Sequence, residues 1–169
     1  GNPKDLDTAK AMIQEVERLD RVIGQLLEFA RPSHLKIKPV QLADLIKHSL
    51  RLIEGDARAK GVVVKPQVPS GLPEILLDPD RMRQVLLNLY LNSIQAMDRG
   101  GTLEVKAFRN DPKKHTKITI SDNGAGIHQE QAERIFDPYF TTKSDGTGLG
   151  LAIVHKIMEA HRGDIDVES

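Results

Sequence analysis

The chain has no cysteine and no tryptophan, and only four phenylalanines and two tyrosines among its 169 residues. Without thiols there is no disulfide framework, no thiolate zinc site and no cysteine nucleophile, a composition that fits a reducing compartment. Net charge is lacking too, because 24 Lys and Arg are matched by 24 Asp and Glu. Bulk electrostatics therefore gives no pull towards nucleic acid or anionic lipid. No apolar run approaches the ~20 residues that cross a bilayer. The start, Gly1-Asn2-Pro3, is neither a secretory leader nor an initiator methionine. These features are read as an excised, soluble piece with the cytosol as its default location. The length suffices for one domain plus an accessory helix, burying roughly 70% of the unfolded surface.

From Asp5 to Ala30, residues Ala9, Met12, Val16, Leu19, Ile23, Leu26 and Ala30 step by alternate threes and fours, a heptad seam. A second row, Ile13, Val22, Leu27 and Phe29, widens that face to suit a four-helix bundle. Arg31-Pro32 ends the helix, since the residue before proline is pushed out of helical geometry. The expected division is a helical segment over 1–31, an extended linker over 32–39 and a globular domain over 40–169. Within that domain, Leu42, Leu45, Ile46, Leu50 and Ile53 predict a helix running to about Lys60 and stopped by Gly61. Strands are expected at Val62 to Val68 and Glu74 to Leu77, then an Asp80-capped helix to about Met97 closed by Gly100-Gly101. Two more strands, Thr102 to Phe108 and Thr116 to Ser121, flank a polar turn from Arg109 to His115. A helix over Leu149 to His161 and a strand starting at Gly163 complete a mixed sheet covered by helices. The glycine-bearing stretch from Asp122 to Thr147 is long for a loop in a compact domain, and such loops are usually functional.

Four segments carry chemistry. Asn88 and Asn92 stand at i and i+4 on one helix face, where a carboxamide oxygen can join the hard-donor shell of Mg²⁺; taken alone they read rather as a solvated polar face. Asp122-Asn123-Gly124-Ala125-Gly126 leaves a strand end, so that a carboxylate there can accept from the exocyclic amine of adenine, although the same residues make a good Asx turn. The run from Ile135 to Phe140 gathers three of the six aromatic rings near Lys143, either to cover a ligand or to pin the loop to the body. Asp145-Gly146-Thr147-Gly148-Leu149-Gly150 opens a helix, whose free N–H groups and dipole suit phosphate. That segment follows no strand and contains no G-x-x-x-x-G-K-[ST], which excludes dinucleotide-fold and P-loop readings.

In this order and spacing the four segments resemble the ATP-binding domain of sensor histidine kinases, in the superfamily that also holds gyrase, Hsp90 and MutL ATPases. The matching stretches are an N box (Arg83 to Met97), two glycine boxes (Asp122 to Gly126, Gly146 to Gly150) and an F box (Phe136 to Phe140). The wording NLYLNSIQAM is most similar to nitrogen- and metal-responsive members. The resemblance implies an α/β (α+β) sandwich, helices on one face of a mixed sheet, preceded by the second helix of a dimerisation hairpin whose first helix is missing. It also implies a domain truncated at its C-terminus. It assigns adenine to Asp122, Mg²⁺ to Asn92, and a catalytic position beside it to Asn88. ATP would be lined by Gly124, Gly126, Ile127, Phe136, Phe140, Thr142, Lys143, Gly146, Thr147, Gly148, Leu149 and Gly150, with Lys143 also catalytic. Two partners follow from the likeness, a second copy through the helical bundle and a response-regulator receiver domain. The intact protein would be an inner-membrane sensor with this portion in the cytoplasm.

None of the histidines at 34, 48, 115, 128, 155 and 161 stands in the family's phosphoacceptor setting. Related ATPases carry a glutamate where this chain has Asn88, and an amide does not take the proton of an attacking water. A neutral imidazole is already a nucleophile, so the residues favour phosphoryl transfer to histidine over hydrolysis. A Bergerat-type ATPase, an anti-sigma-type serine kinase and a non-catalytic nucleotide sensor remain as competing readings.

Overall fold

The structure, a computed structural model, describes residues 3–30, 34–110, 115–143 and 146–169. The helix-ending Arg31-Pro32, the tip of the turn at 111–114, and Ser144 and Asp145 just before the second glycine box lie outside the described residues. Helix α1 (Pro3–Ala30) leads into strand β1 (Lys38–Gln41), then α2 (Leu42–Leu52), α3 (Glu54–Lys60), β2 (Val62–Gln67) and β3 (Glu74–Leu77). Helix α4 (Pro79–Ala96), the hairpin β4 (Gly101–Asn110) and β5 (His115–Asp122), the single turn α5 (Gln129–Ala132) and α6 (Gly150–Ala160) follow.

The main sheet has the order β2-β4-β5, with β4 parallel to β2 and antiparallel to β5. Its pleat sorts the side chains of β4. Leu103, Val105 and Ala107 are buried under the helices, while Glu104 and Lys106 point the other way and pair at 2.6 Å. A slip of one residue would exchange the two sets, so this alternation fixes the register. Helices α2, α4 and α6 supply the other half of the core through Ile46, Leu86, Tyr90 and Val154, all essentially inaccessible. The result is the expected sandwich of helices on one face of a mixed sheet.

The element reading fails in four places. Lys38 and Pro39, expected in the extended linker, belong to β1, which pairs antiparallel with β3 in a separate two-stranded sheet. The helix expected to run to Lys60 breaks at Ile53 (φ −100°, ψ 2°), and the break lets both Ile53 and Ala57 reach the core. Asp78, not Asp80, caps α4, because Pro79 is pre-set for the first helical position and moves the start back. The segment from Gly163 forms no strand. A strand exists only where its backbone groups meet another ladder, and the alternation of Ile165 and Val167 cannot supply one.

Tyr90 is fully buried, and its hydroxyl has no hydrogen-bond partner among the described residues. Burial also pushes its ionisation far above the ordinary tyrosine range. An orphaned buried hydroxyl costs about 1–3 kcal/mol. Tyr90→Phe should therefore leave the domain equally stable or raise its stability by about 1 kcal/mol, read from the urea midpoint. A drop of that size would contradict the orphan assignment.

Candidate functional site

Three of the motifs meet at α4: its own carboxamide face, the exit of β5 and the start of α6. Helix α4 is held at its N-terminus by Asp78, whose Oδ1 accepts the Asp80 and Arg81 N–H groups at 3.0 and 3.1 Å. Asp78 Oδ2 accepts the Lys36 N–H at 2.7 Å, and the Asp78 N–H donates to His161 Nε2 at 3.0 Å. The buried carboxylate thus ties the segment after α1 to the start of α4, and the backbone N–H of the same residue ties in the end of α6. Its burial favours the neutral acid, but the three backbone donors, helped by His161, hold the carboxyl below the ordinary aspartate value.

With α4 so placed, Asn88 and Asn92 face the glycine-bearing loop. Asn88 Nδ2 donates to the Gly150 carbonyl at 3.2 Å, which fixes the N-terminus of α6 against α4. Asn92 Oδ1 accepts from Lys143 Nζ at 3.3 Å, and Gln95 Oε1 accepts from the same ammonium at 2.7 Å. Gln95 extends the carboxamide face by one turn, three residues after Asn92, and was absent from the sequence-derived site. Its spacing was legible in the chain, but the partner that gives it meaning lies 48 residues away. Lys60, also missed, caps the far end of α4 by donating to the Gln95 and Met97 carbonyls at 3.4 and 3.1 Å. Burial, and then the like charge of Lys60, press the Lys143 pKa below its ordinary value.

At the exit of β5, Asp122 Oδ1 accepts the Gly124 N–H at 2.9 Å, the Asx turn. Its other oxygen has no partner among the described residues and the side chain is exposed. Gly124 lies tight against α4: a Cβ there would sit 2.7 Å from the Ala96 carbonyl oxygen, and the Ala125 N–H donates to that same oxygen at 3.1 Å. Glycine is needed here because the backbone itself forms the contact. Gly126 follows in left-handed geometry, and the Ile127 N–H donates to Ser169 Oγ at 2.6 Å.

The loop closes on itself through Tyr139 and Gly148, both with φ of 68°. The Tyr139 N–H donates to the Gly148 carbonyl at 2.9 Å, and a Cβ on Gly148 would lie 2.3 Å from the Tyr139 carbonyl carbon. Thr147 donates its hydroxyl to Gln25 Oε1 on α1 and accepts the Leu149 N–H at 3.3 Å. Gly146 lies close against Thr141, Leu149 is buried in the core, and Thr142 is exposed.

The aromatic residues are used differently. Phe136 rests on the His155 ring, with centroids 5.5 Å apart, and Phe140 lies under the Arg134 guanidinium at 4.7 Å. Both contacts bind the loop to its own surroundings, the pinning role left open by the sequence.

The oxygen donors fit a divalent cation. Asn92 Oδ1 and Gln95 Oε1 already converge on a positive charge, and neutral amide oxygens are hard ligands that leave room for phosphate and water. Among the described residues, no helix is long and apolar enough to cross a membrane.

Comparison with known proteins agrees with this arrangement. Residues 77–169 match the family described as histidine kinase-, DNA gyrase B-, and HSP90-like ATPase. The sensor histidine kinase ZraS of Escherichia coli (strain K12) is 48% identical over 161 residues, covering 95% of this chain and 34% of that protein. The chain spans about a third of the length of the curated relatives first matched. Full-length ShkA, solved in complex with AMPPNP, superposes with a TM-score of 0.85 at 28% identity, over 99% of this chain and 36% of that one. ThkA in complex with the response regulator protein TrrA gives a TM-score of 0.76 at 26% identity, over 96% of this chain and 47% of that one. With a family match over more than half its length, the chain belongs to the histidine kinase-, DNA gyrase B- and HSP90-like ATPase family.

Proposed function

We propose that the intact protein transfers the γ-phosphoryl group of ATP to a histidine on its dimerisation hairpin and from there to an aspartate of a response regulator. The observation that carries this reading is the meeting of the α4 carboxamide face with the glycine loop, through Asn88 to Gly150 and Asn92 to Lys143. Asp122 reads the amino edge of adenine with the oxygen left over from its Asx turn. Gly124, Gly126 and Ile127 line the base, while Thr142, Lys143, Gly146, Thr147, Gly148, Leu149 and Gly150 follow the phosphates. Phe136 and Phe140 hold that loop in place.

Asn92 is the proposed ligand for Mg²⁺, which when bound neutralises the triphosphate and fixes its geometry. Lys143 supplies positive charge to the β and γ oxygens, and Asn88, being an amide, orients without taking a proton. The histidine nitrogen forms its bond to the γ phosphorus as the bond to the bridging oxygen breaks and ADP leaves. ThkA, solved with its response regulator, supports the second transfer for this chain. A hairpin helix over 1–31 ahead of a catalytic domain that starts with β1 at Lys38 accords with the exposed heptad stripe. Met12, Ile13, Val16, Leu19, Ile23 and Leu27 are each at least half exposed, a face suited to pairing with a second copy. The cytoplasm, where ATP is available, is the proposed location.

Incubation with γ-labelled ATP tests the proposal. The chain alone should bind nucleotide and remain unlabelled, and adding the phosphoacceptor hairpin should place label on that hairpin's histidine. Label on the chain alone, or rapid ATP loss without any acceptor, would overturn it. The contact between Gln25 and Thr147 favours a second reading, a sensor in which nucleotide alters the packing of α1 without transfer. Nucleotide-dependent association with no label on the restored hairpin would select it.

A further inference from the structure

Helix α4 has no basic residue in its last turn, although this is the end that meets the glycine-bearing loop. The positive charge there comes from Lys143, a loop residue, and it is seated on two side-chain oxygens of α4. The shorter contact is to Gln95 at 2.7 Å, and the longer one is to Asn92 at 3.3 Å. Gln95 is itself anchored at its backbone, where its carbonyl accepts from Lys60 at 3.4 Å.

We propose that Gln95 is the positioning residue for Lys143: it latches the loop onto α4 before nucleotide arrives, with the lysine ammonium standing on the amide oxygen that a divalent cation takes over. The inference rests on the nucleotide reading of the site and adds the order of events. One oxygen of Asn92 faces two positive charges in succession, and like charges do not share it. Entry of the nucleotide with its metal therefore displaces Lys143 from Asn92, and the pull of the incoming phosphate oxygens draws the ammonium off Gln95 as well. The displaced ammonium meets the phosphate oxygens that arrive with the metal, and its stem keeps it within the same space. The free loop is held by a weak charge–dipole latch that the substrate undoes, and the substrate supplies the ammonium with a better partner. A ligand shifts such an equilibrium only by what it gains in one state over the other, and the exchange of an amide oxygen for phosphate provides that difference.

Hydrogen exchange of the whole chain, followed by mass spectrometry, tests this. In the absence of nucleotide, the backbone amides of residues 141–143 and 146–149 should exchange about threefold to tenfold faster in Gln95→Leu than in the parent, the effect of one modest hydrogen bond. Gln95→Glu, which keeps an acceptor and adds charge, should restore or deepen the protection. With saturating Mg-ATP the parent and Gln95→Leu should exchange alike, because Lys143 has by then left Gln95. Adenosine, which carries no phosphate, should bind both equally and so reports that α4 is intact. Lys143→Met, at an exposed position, gives a second route to the same free-state loosening if Gln95→Leu misfolds. Equal exchange of all variants without nucleotide would overturn the latch, as would a difference that persists undiminished in Mg-ATP. If the parent itself binds no Mg-ATP, the nucleotide reading falls, while the nucleotide-free comparison still decides whether Gln95 holds Lys143.

Discussion

Asp122→Ala should weaken ATP binding by about 10-fold to 100-fold, since a hydrogen bond to a charged acceptor is worth about 1.5–3 kcal/mol and 1.4 kcal/mol is one decade. The preference for ATP over GTP should disappear with it, because guanine carries a carbonyl where adenine carries its amine, and the lost carboxylate was the group that told them apart. In the structure Oδ1 accepts the Gly124 N–H and shapes the turn, and the other oxygen is the one proposed to meet the base. Asp122→Asn separates them, because an amide oxygen can still close the Asx turn while its charge is gone. Calorimetry with ATP and GTP on both variants gives the answer. An affinity within twofold of the parent, or an unchanged ratio between the two nucleotides, would remove Asp122 from the base site.

Asp78→Ala should destabilise the domain by about 3 kcal/mol, combining the loss of an N-cap, about 1–2 kcal/mol, with the buried bond to the Lys36 N–H. For a domain of this size that lowers Tm by about 6–12 °C. The pH dependence has a definite sign. The folded carboxyl lies below its unfolded value of about 3.9, so its contribution is fully present above that value and is lost as pH falls through the folded one. The gap between parent and variant should therefore narrow below about pH 4. Asp78→Asn keeps the cap and loses the charge, and should fall between the two. A variant as stable as the parent at pH 7 would show that the segment after α1 and the start of α4 hold without the carboxylate that joins them.

Much of the fold was written in local pattern. The heptad of α1, the β4–β5 hairpin and the stop at Gly61 each follow from periodicity or from a residue's own backbone preference. What escaped is decided by neighbours distant in sequence. Strand β1 is four residues with no alternation of its own, and only pairing with β3 makes it a strand. The break at Ile53 answers to the core and leaves no mark in the helical spacing. The candidate site divides the same way. Asn88, Asn92, Asp122 and the glycines were legible because their spacing is local. Gln95, Lys60 and Gln25 were not, since each acts through a partner on another element.

The bond between Gln25 and Thr147 has a mechanical meaning. Helix α1 turns most of its apolar stripe outward, yet from its inner side it also reaches Thr147 in the glycine-bearing loop. Near its end, Lys156 of α6 sits 5.3 Å over the Phe29 ring, a second grip on the same rod. One residue of helix subtends about 100°, so even a fraction of that rotation would part both grips. Rotation of α1 would therefore register at Thr147 and Lys156, the two points where the rod touches the domain through these side chains.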